Sequence, residues 1–448
     1  MTYKQKKIFT ALCFSLGLVF FPAVSNGQNL IQIYNLAVTN DPELKRADAA
    51  RLAALEAKPQ ARSRFLPSVN VGANYTYQHQ DLTTFPFLGS ASENTAGSYP
   101  TDGYSLNLSQ PLFYYDAFVQ NRQADAKVAQ AEAQFEAARL NLMLRVAERY
   151  FDVLAAQDNL SFAQAEKKAT ERQLEQTKQR FNVGLIAITD VHEAQASYDL
   201  TVAQEISAQN RLSNANEALR EVTGQYHKEL FALMKDTPLI TPEPADIDKW
   251  AETALKQNLQ LISSQFAVDI AANQIKFQRA QRYPTLDLVG SHNYSDNSDS
   301  LFFPTKTTSD VVSIQLNWNL FQGGRVSSLA RQASYQFNEA EATLEQQRRS
   351  TVRQTRDAYL GVIAGISRVK ALNQSVISHR SALEATEAGL EVGTRTTVDV
   401  LNARTNLYLA ERDYAQSRYD YILNTLRLKQ AAGLLSERDL DAINKWLE

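Results

Sequence analysis

Apolar and polar residues alternate along this 448-residue chain with two different periods, and each period keeps to its own stretches. From Ser68 to Tyr77, the residues Val69, Val71, Ala73, Tyr75 and Tyr77 alternate with Ser68, Asn70, Gly72, Asn74 and Thr76. Tyr104, Leu106 and Leu108 alternate with Ser105, Asn107 and Ser109. Val312, Ile314, Leu316, Trp318 and Leu320 alternate with Ser313, Gln315, Asn317 and Asn319. Successive side chains of a strand point to opposite faces, so each run predicts a strand with one apolar and one polar face. A fourth run, Leu286 to Tyr294, is weaker because Val289 falls on its polar face.

Elsewhere the period lengthens. Between Asp116 and Phe181 there is no Gly and no Pro. Val128, Ala131, Phe135, Ala138, Leu142, Val146, Tyr150, Val153, Ala156, Leu160 and Ala163 recur there at three- and four-residue steps. That is a narrow seam suited to coiled-coil packing. At 1.5 Å per residue the helix reaches roughly 100 Å, deeper than any globular core. Shorter helices are expected from about Asn29 to Ser63 and Thr189 to Thr223, roughly 50 Å each. Two short helices stacked end to end match one long one.

The pattern also repeats. "RFNVGLIAITDVHEAQ", from Arg180 to Gln195, returns as "GLEVGTRTTVDVLNAR", from Gly389 to Arg404. The period is far longer than a solenoid unit and implies duplication of a half-protein. The expected organisation is a signal segment at 1–27, a first repeat at 28–224, a connector at 225–248, a second repeat at 249–433 and a tail at 434–448. Pro238, Pro242 and Pro244 keep the connector from being one helix, and the tail predicts a short amphipathic helix.

Two repeats with two strands each give four strands per chain. An open sheet edge cannot face lipid, and bacterial barrels have even strand numbers from eight upward. Two chains give eight strands and a lumen filled by side chains, whereas three give twelve and leave a channel. The expected fold is therefore mostly α with a transmembrane β part: a trimeric 12-stranded β-barrel continued by a long α-helical periplasmic barrel. Aromatic residues at the strand ends fit an interfacial girdle in outer-membrane lipid: Tyr75, Tyr77, Phe113, Tyr114, Tyr115, Trp318 and Phe321. An ordinary β-sandwich shows the same alternation. Polar stretches at Asp81 to Gly103 and Ser295 to Asp310 are expected as extracellular loops, with Phe85, Phe87, Phe302 and Phe303 unexplained in them.

Composition narrows the classes. Lys4, Lys6 and Lys7, an apolar run from Ile8 to Phe21, and Ser25-Asn26-Gly27 form a secretory signal too short for a membrane span. Its removal takes away three lysines and no acids, moving the formal charge from −3 to −6. That mild acidity argues against a nucleic-acid partner. The one cysteine, Cys13, lies inside the apolar run, so the mature chain is expected to be unacylated and without disulfides. His79, His192, His227, His292 and His379 are dispersed without metal-ligand spacing, and there is no phosphate-binding lysine loop. No enzyme activity, cofactor or metal is expected.

Each long helix is expected to stop at a glycine, Gly184 and Gly393, because glycine tolerates the left-handed conformation that ends helices. Thr189 and Thr397 are the expected N-caps of the return helices, with Asp190 and Asp399 in the first turn. Complementing the helix dipole is the simplest role for both aspartates.

Together "FLPSVNVGANYTY", "QRFNVGLIAITDV", "YPTLDLVGS", "NLFQGG" and "EVGTRTTVDVLNA" resemble the TolC-type outer-membrane factor family, across essentially the whole mature chain. The resemblance implies a homotrimeric exit duct in the outer membrane of a Gram-negative cell, its helical tube in the periplasm, serving multidrug efflux and type I protein secretion. It implies two partners at the helical tips: a periplasmic adaptor (membrane fusion) protein and an inner-membrane pump of RND, ABC or MFS type. The docking tips would be Gly184 with Val183 and Leu185, and Gly393 with Val392 and Thr394. At the gate, Asp399 would face the closed pore and form an acidic ring of three. Arg395 would pair with Thr189 and Asp190 of the neighbouring tip, and Gln173 with Glu387. Asn402 stands where the family has a second aspartate, and Leu390 where it has a tyrosine, implying one acidic ring and one tether fewer. A soluble periplasmic coiled-coil adaptor is the other reading of long hairpins, although adaptors usually carry one hairpin and a lipoyl-like domain.

Overall fold

The computed structural model describes residues 27–84, 93–300 and 304–448. Most of the expected signal segment, with Cys13, lies outside the described residues, as do Phe85, Phe87, Phe302 and Phe303. The first half of the chain runs α1 (Leu30–Asn40), α2 (Pro42–Leu55), α3 (Ala57–Ser63), β1 (Ser68–Thr84), β2 (Glu93–Phe113), α4 (Tyr115–Asn182) and α5 (Ile188–Thr223). The same order recurs as α6 (Ile247–Gln257), α7 (Leu259–Ala280), β3 (Thr285–Asp296), β4 (Lys306–Asn317), α8 (Arg325–Glu391) and α9 (Thr397–Ala431), and α10 (Glu437–Asn444) closes the chain.

The long helices match their expected extent. α4 has 68 residues and α8 has 67, each about 100 Å of helix. The single helix expected from Asn29 to Ser63 is instead three. Asp41 leaves helical geometry, its carboxylate accepts the Leu44 N–H at 2.6 Å, and Pro42 opens α2 where a missing N–H costs nothing. The second break, at Glu56, keeps helical dihedrals (φ −66, ψ −12) and is a bend rather than a stop.

The four strands form one antiparallel sheet in the order β1-β2-β3-β4. All are longer than, or displaced from, the alternating runs. β1 continues to Thr84, β2 begins at Glu93, and β4 ends at Asn317, so Trp318, Leu320 and Phe321 lie beyond it. The register explains the added length: Tyr77 pairs with Pro100 and Thr84 with Glu93, well past the last β2–β3 partners, Asp102 and Asp296. Pro100 is tolerated there because that side of β2 has no strand to receive an N–H. Where β2 does run beside β3, Pro111 sits at a register shift that ends before Phe113, which again spares a ladder bond.

The core is a belt halfway along α4. There Leu142, Met143, Val146, Ala147, Tyr150, Phe151, Val153 and Leu154 are all buried. The narrow seam expected for α4 thus widens to nearly the whole helix circumference, because α1, α5, α9, α10 and the connector all pack around it. Away from the belt, Ala131, Phe135, Ala156, Leu160 and Ala163 are only half-buried. The connector joins the belt by short backbone ladders on both sides. Gln28 N–H donates to Glu229 O at 2.9 Å, and Ala232 and Glu448 exchange two bonds of 2.9 Å. Arg145 of α4 holds Asp41 through Nη2 at 2.9 Å from each carboxylate oxygen, so the buried acid at the α1–α2 joint is paired.

Candidate functional site

Far from the sheet, α4–α5 and α8–α9 each turn through five residues, 183–187 and 392–396. The turns share one construction. Gly184 and Gly393 both have φ +76, a conformation that costs other residues a Cβ clash. Leu185 N–H donates to Arg180 O at 3.0 Å, and Thr394 N–H donates to Gly389 O at 2.8 Å, closing the orphan carbonyls of each long helix. A Cβ on either glycine would meet no atom within 4 Å, so the space outside both turns is open. Val183, Leu185 and Val392 are 70, 73 and 75% exposed, giving each tip an uncovered apolar knob.

The return helices do not start as expected. Thr189 and Thr397 are first-turn helical residues, and the N-caps are Ala187 and Thr396. Thr396 makes a capping box. Its N–H and hydroxyl donate to Asp399 Oδ2, each at 2.9 Å, and the Asp399 N–H donates to Thr396 Oγ1 at 3.2 Å. The Thr396 backbone bond, then its hydroxyl and the Arg395 charge, hold the Asp399 carboxyl below the usual aspartate value. Ala187 has no side-chain oxygen to offer, so Asp190, at the same helical position, makes no side-chain hydrogen bond or ion pair within the chain.

The other gate candidates divide into two levels. Arg395 is exposed at the tip, lies against Gly389 and forms no ion pair within the chain. Thr189 and Asn402 are likewise exposed, and Leu390 is half-buried. About two turns up, Gln173 is buried on α4. Glu387 does not reach it within the chain; its carboxylate accepts Arg404 Nη2 of α9 at 2.6 Å. Arg404 Nη1 also donates to Ala169 O of α4 at 3.3 Å, and the neighbouring Thr405 hydroxyl donates to Glu166 Oε1 at 3.1 Å. Sequence reasoning missed Arg404, Thr405 and Glu166. A signal was present: residues 387 and 404 lie five and eight residues from the 392–396 turn on the two arms of one antiparallel hairpin, within reach of a long arginine side chain.

At the other end, the register aligns one face across all four strands. Val69, Leu108, Gly290 and Val312 share a row, and Val71, Leu106, His292 and Asp310 share the next. Leu286, Leu288, Ile314 and Leu316 continue the same apolar face. Val312, Ile314 and Leu316 are all exposed. The opposite face carries Asn70, Asn74, Ser105, Asn107, Ser291, Asn293, Ser313 and Gln315, with Val289 and Val311 as its apolar exceptions. Polar residues also interrupt the apolar face, among them His292 with Asp310 at 2.5 Å, and Asp296 with Lys306 at 2.7 Å beside Asp102.

Aromatic rings bracket the apolar face. Tyr75, Tyr77 and a Tyr104–Tyr294 stack with centroids 5.2 Å apart lie toward one end. Phe113, Tyr115 against Tyr283 at 4.6 Å, Trp318 and Phe321 lie toward the helices. Trp318 Nε1 donates to Arg282 O at 3.0 Å, which anchors its ring beyond the strand, and Phe321 is 88% exposed. From Tyr104 to Phe113 the strand covers about 30 Å, or roughly 23 Å of depth at a 40° tilt, close to the apolar band of an outer-membrane barrel. No described helix is long and apolar enough to cross a membrane.

Comparisons with known proteins agree with this arrangement. The family profile described as "Outer membrane efflux protein" matches residues 33–225 and again 250–434. The outer membrane protein TolC of Vibrio cholerae is 41% identical over 427 residues, covering 94% of each chain. The alkaline protease secretion protein AprF of Pseudomonas aeruginosa is 30% identical over 416 residues, covering 92% of this chain and 86% of its own length. Among solved structures, the Campylobacter jejuni CmeC outer membrane channel superposes with a TM-score of 0.77 at 17% identity, covering 100% of this chain and 98% of that one.

Proposed function

This chain belongs to the outer membrane efflux protein family, and from that premise we propose that three copies form one export duct through the outer membrane and across the periplasm. The observation that carries this reading is the four-stranded sheet with an apolar face and two unpaired edges, β1 and β4. In lipid an unpaired edge leaves backbone groups without partners, at several kcal/mol each. Joining β4 of one copy to β1 of the next removes every edge. Three copies give twelve strands, whose polar face lines a water-filled lumen. The sheet also disfavours a soluble adaptor, which has no use for an exposed apolar face of this size.

α4, α5, α8 and α9 of each copy continue the lumen as a periplasmic tube that narrows at the tips. Arg395 of one copy reaches Thr189 and Asp190 of its neighbour, a reading supported by the absence of an ion pair for either charge within its own chain. Three Asp399 carboxylates form an acidic ring at the entrance. Gln173, Leu390 and Asn402 line the same constriction. The open, apolar tips at Gly184 and Gly393 receive a periplasmic adaptor, and an inner-membrane pump of RND, ABC or MFS type supplies the energy. The family name supports efflux, and the relative named for alkaline protease secretion supports type I protein export.

The test is fractionation with an unheated gel. The mature protein is expected in the outer-membrane fraction as a band of about three chain masses that collapses to one on boiling. A soluble periplasmic monomer would refute the duct.

A further inference from the structure

The α4–α5 and α8–α9 hairpins are fastened to each other at a few discrete levels. Going down from the belt, α9 meets α4 through Gln430 and Asn141 at 2.7 Å, Arg427 and Glu148 at 2.8 Å, and Tyr419 and Asp158 at 2.7 Å. The last level is Arg404 with Thr405, against Ala169 and Glu166. Among the described residues, no hydrogen bond or ion pair crosses between the hairpins below it. From Ala169 to the end of α4 at Asn182 is 13 residues, so roughly 20 Å of each hairpin hangs free beneath this level.

We propose that Arg404 is a latch between the two hairpins of one chain, and that it sets the pivot about which the duct's entrance opens. This rests on the duct reading above. One guanidinium joins three helices: Nη2 reaches α8 at Glu387 and Nη1 reaches the α4 backbone at Ala169. A planar fork with several donors does this, whereas a lysine ammonium is a point charge that serves one site well. The Arg404 side chain is 18% exposed, so water competes weakly for it. Thr405, next along α9, adds a bond to Glu166, which is buried on α4. Adjacent α9 residues thus hold the same turns of α4. Without Arg404 this level keeps only the Thr405–Glu166 bond, 16 residues above the end of α4, and the next fastening is Asp158–Tyr419, 24 residues above it. The free length then grows from roughly 20 to roughly 24 Å, and to roughly 36 Å once the lone Thr405 bond gives way, so the same angular swing carries the tips farther apart. Arg404 therefore favours the closed entrance without itself lining it.

The test uses the full-length trimer in planar lipid bilayers with Arg404→Ala, Arg404→Lys and Glu387→Gln, each checked for an intact trimer band on an unheated gel. A charge-assisted bond at a sheltered site shifts a two-state ratio by about tenfold. Arg404→Ala is therefore expected to raise the mean resting conductance several-fold toward that limit. Arg404→Lys should fall nearer Ala than wild type, because it keeps one contact and loses the bridge. A second readout is the distance between spin labels on Val183→Cys in the three copies, which should lengthen and broaden when Arg404→Ala is added. A conducting wild type whose conductance and tip distances are both unmoved by Arg404→Ala overturns the latch. A wild-type trimer that inserts but never conducts overturns the duct instead, and the spin-label distances then decide the latch alone.

Discussion

Asp190 and Asp399 occupy the same helical position in two duplicated tips, yet only Asp399 has a hydroxyl at its helix N-cap to hold. Thr396 donates to that carboxylate twice and lowers its proton affinity. In a trimer the opposite force acts as well, because three like charges close together raise one another's pKa. The sign of the pH effect follows from which force is larger. A carboxyl held below its ordinary value of about 3.9 stays charged at neutral pH, and its contribution is lost only as pH falls through the lowered value. We expect the Thr396 bonds to dominate. Block of the channel by a multivalent cation should then be nearly constant from pH 7 to pH 5 and should vanish in Asp399→Asn. Block that fades by pH 6 in the wild type would mean that mutual repulsion governs the ring.

Among elements, the tips have a stronger case for a surface role than for a folding one. Gly184 is fixed by its left-handed backbone conformation, and an alanine there costs about 1–2 kcal/mol. The turn is flanked by α4 and α5, whose packing along their length holds the hairpin against so small a loss. Nothing lies within 4 Å of a Cβ at Gly184, so a side chain there starts out into open space. Gly184→Arg should therefore keep the trimer band and resting conductance but lose cross-linking to a periplasmic adaptor from an efflux operon of the same cell. Adaptor capture equal to wild type would remove this tip from the docking surface. The strand–helix joints show the same economy: Tyr114 alone separates β2 from α4, and its hydroxyl donates to Asp287 of β3 at 2.9 Å.

For the whole molecule, the decisive question is which face of the sheet meets lipid. Val312 and Ser313 are neighbours on β4 whose side chains point to opposite faces. With the apolar face outward, Val312→Arg places a charge in the hydrocarbon at a cost of about 2–4 kcal/mol near the midplane. Ser313→Arg places it in the water-filled lumen at little cost. The first variant should sharply reduce the outer-membrane trimer. The second should assemble normally and change single-channel conductance. Equal assembly of both would contradict the outward apolar face.

What was legible in the residues was local or periodic. The two-residue alternation of Val69 to Tyr77, the Gly- and Pro-free run from Asp116 to Phe181, the glycines of both tips and the repeated turn sequence each depend on neighbours within a few positions. Backbone geometry converts such patterns directly into strands, helices and turns. The same logic led to four strands per chain. Only the tertiary structure decided which groups meet across elements. It drew Pro100 into a strand through pairing with Tyr77 and widened the α4 seam into a belt buried around most of the helix. It also moved the α9 cap to Thr396 and, within one chain, gave Glu387 to Arg404 and Arg404 to Ala169. Those outcomes depend on which helix faces adjoin and at what height, and a residue's own neighbours in the chain carry no record of either.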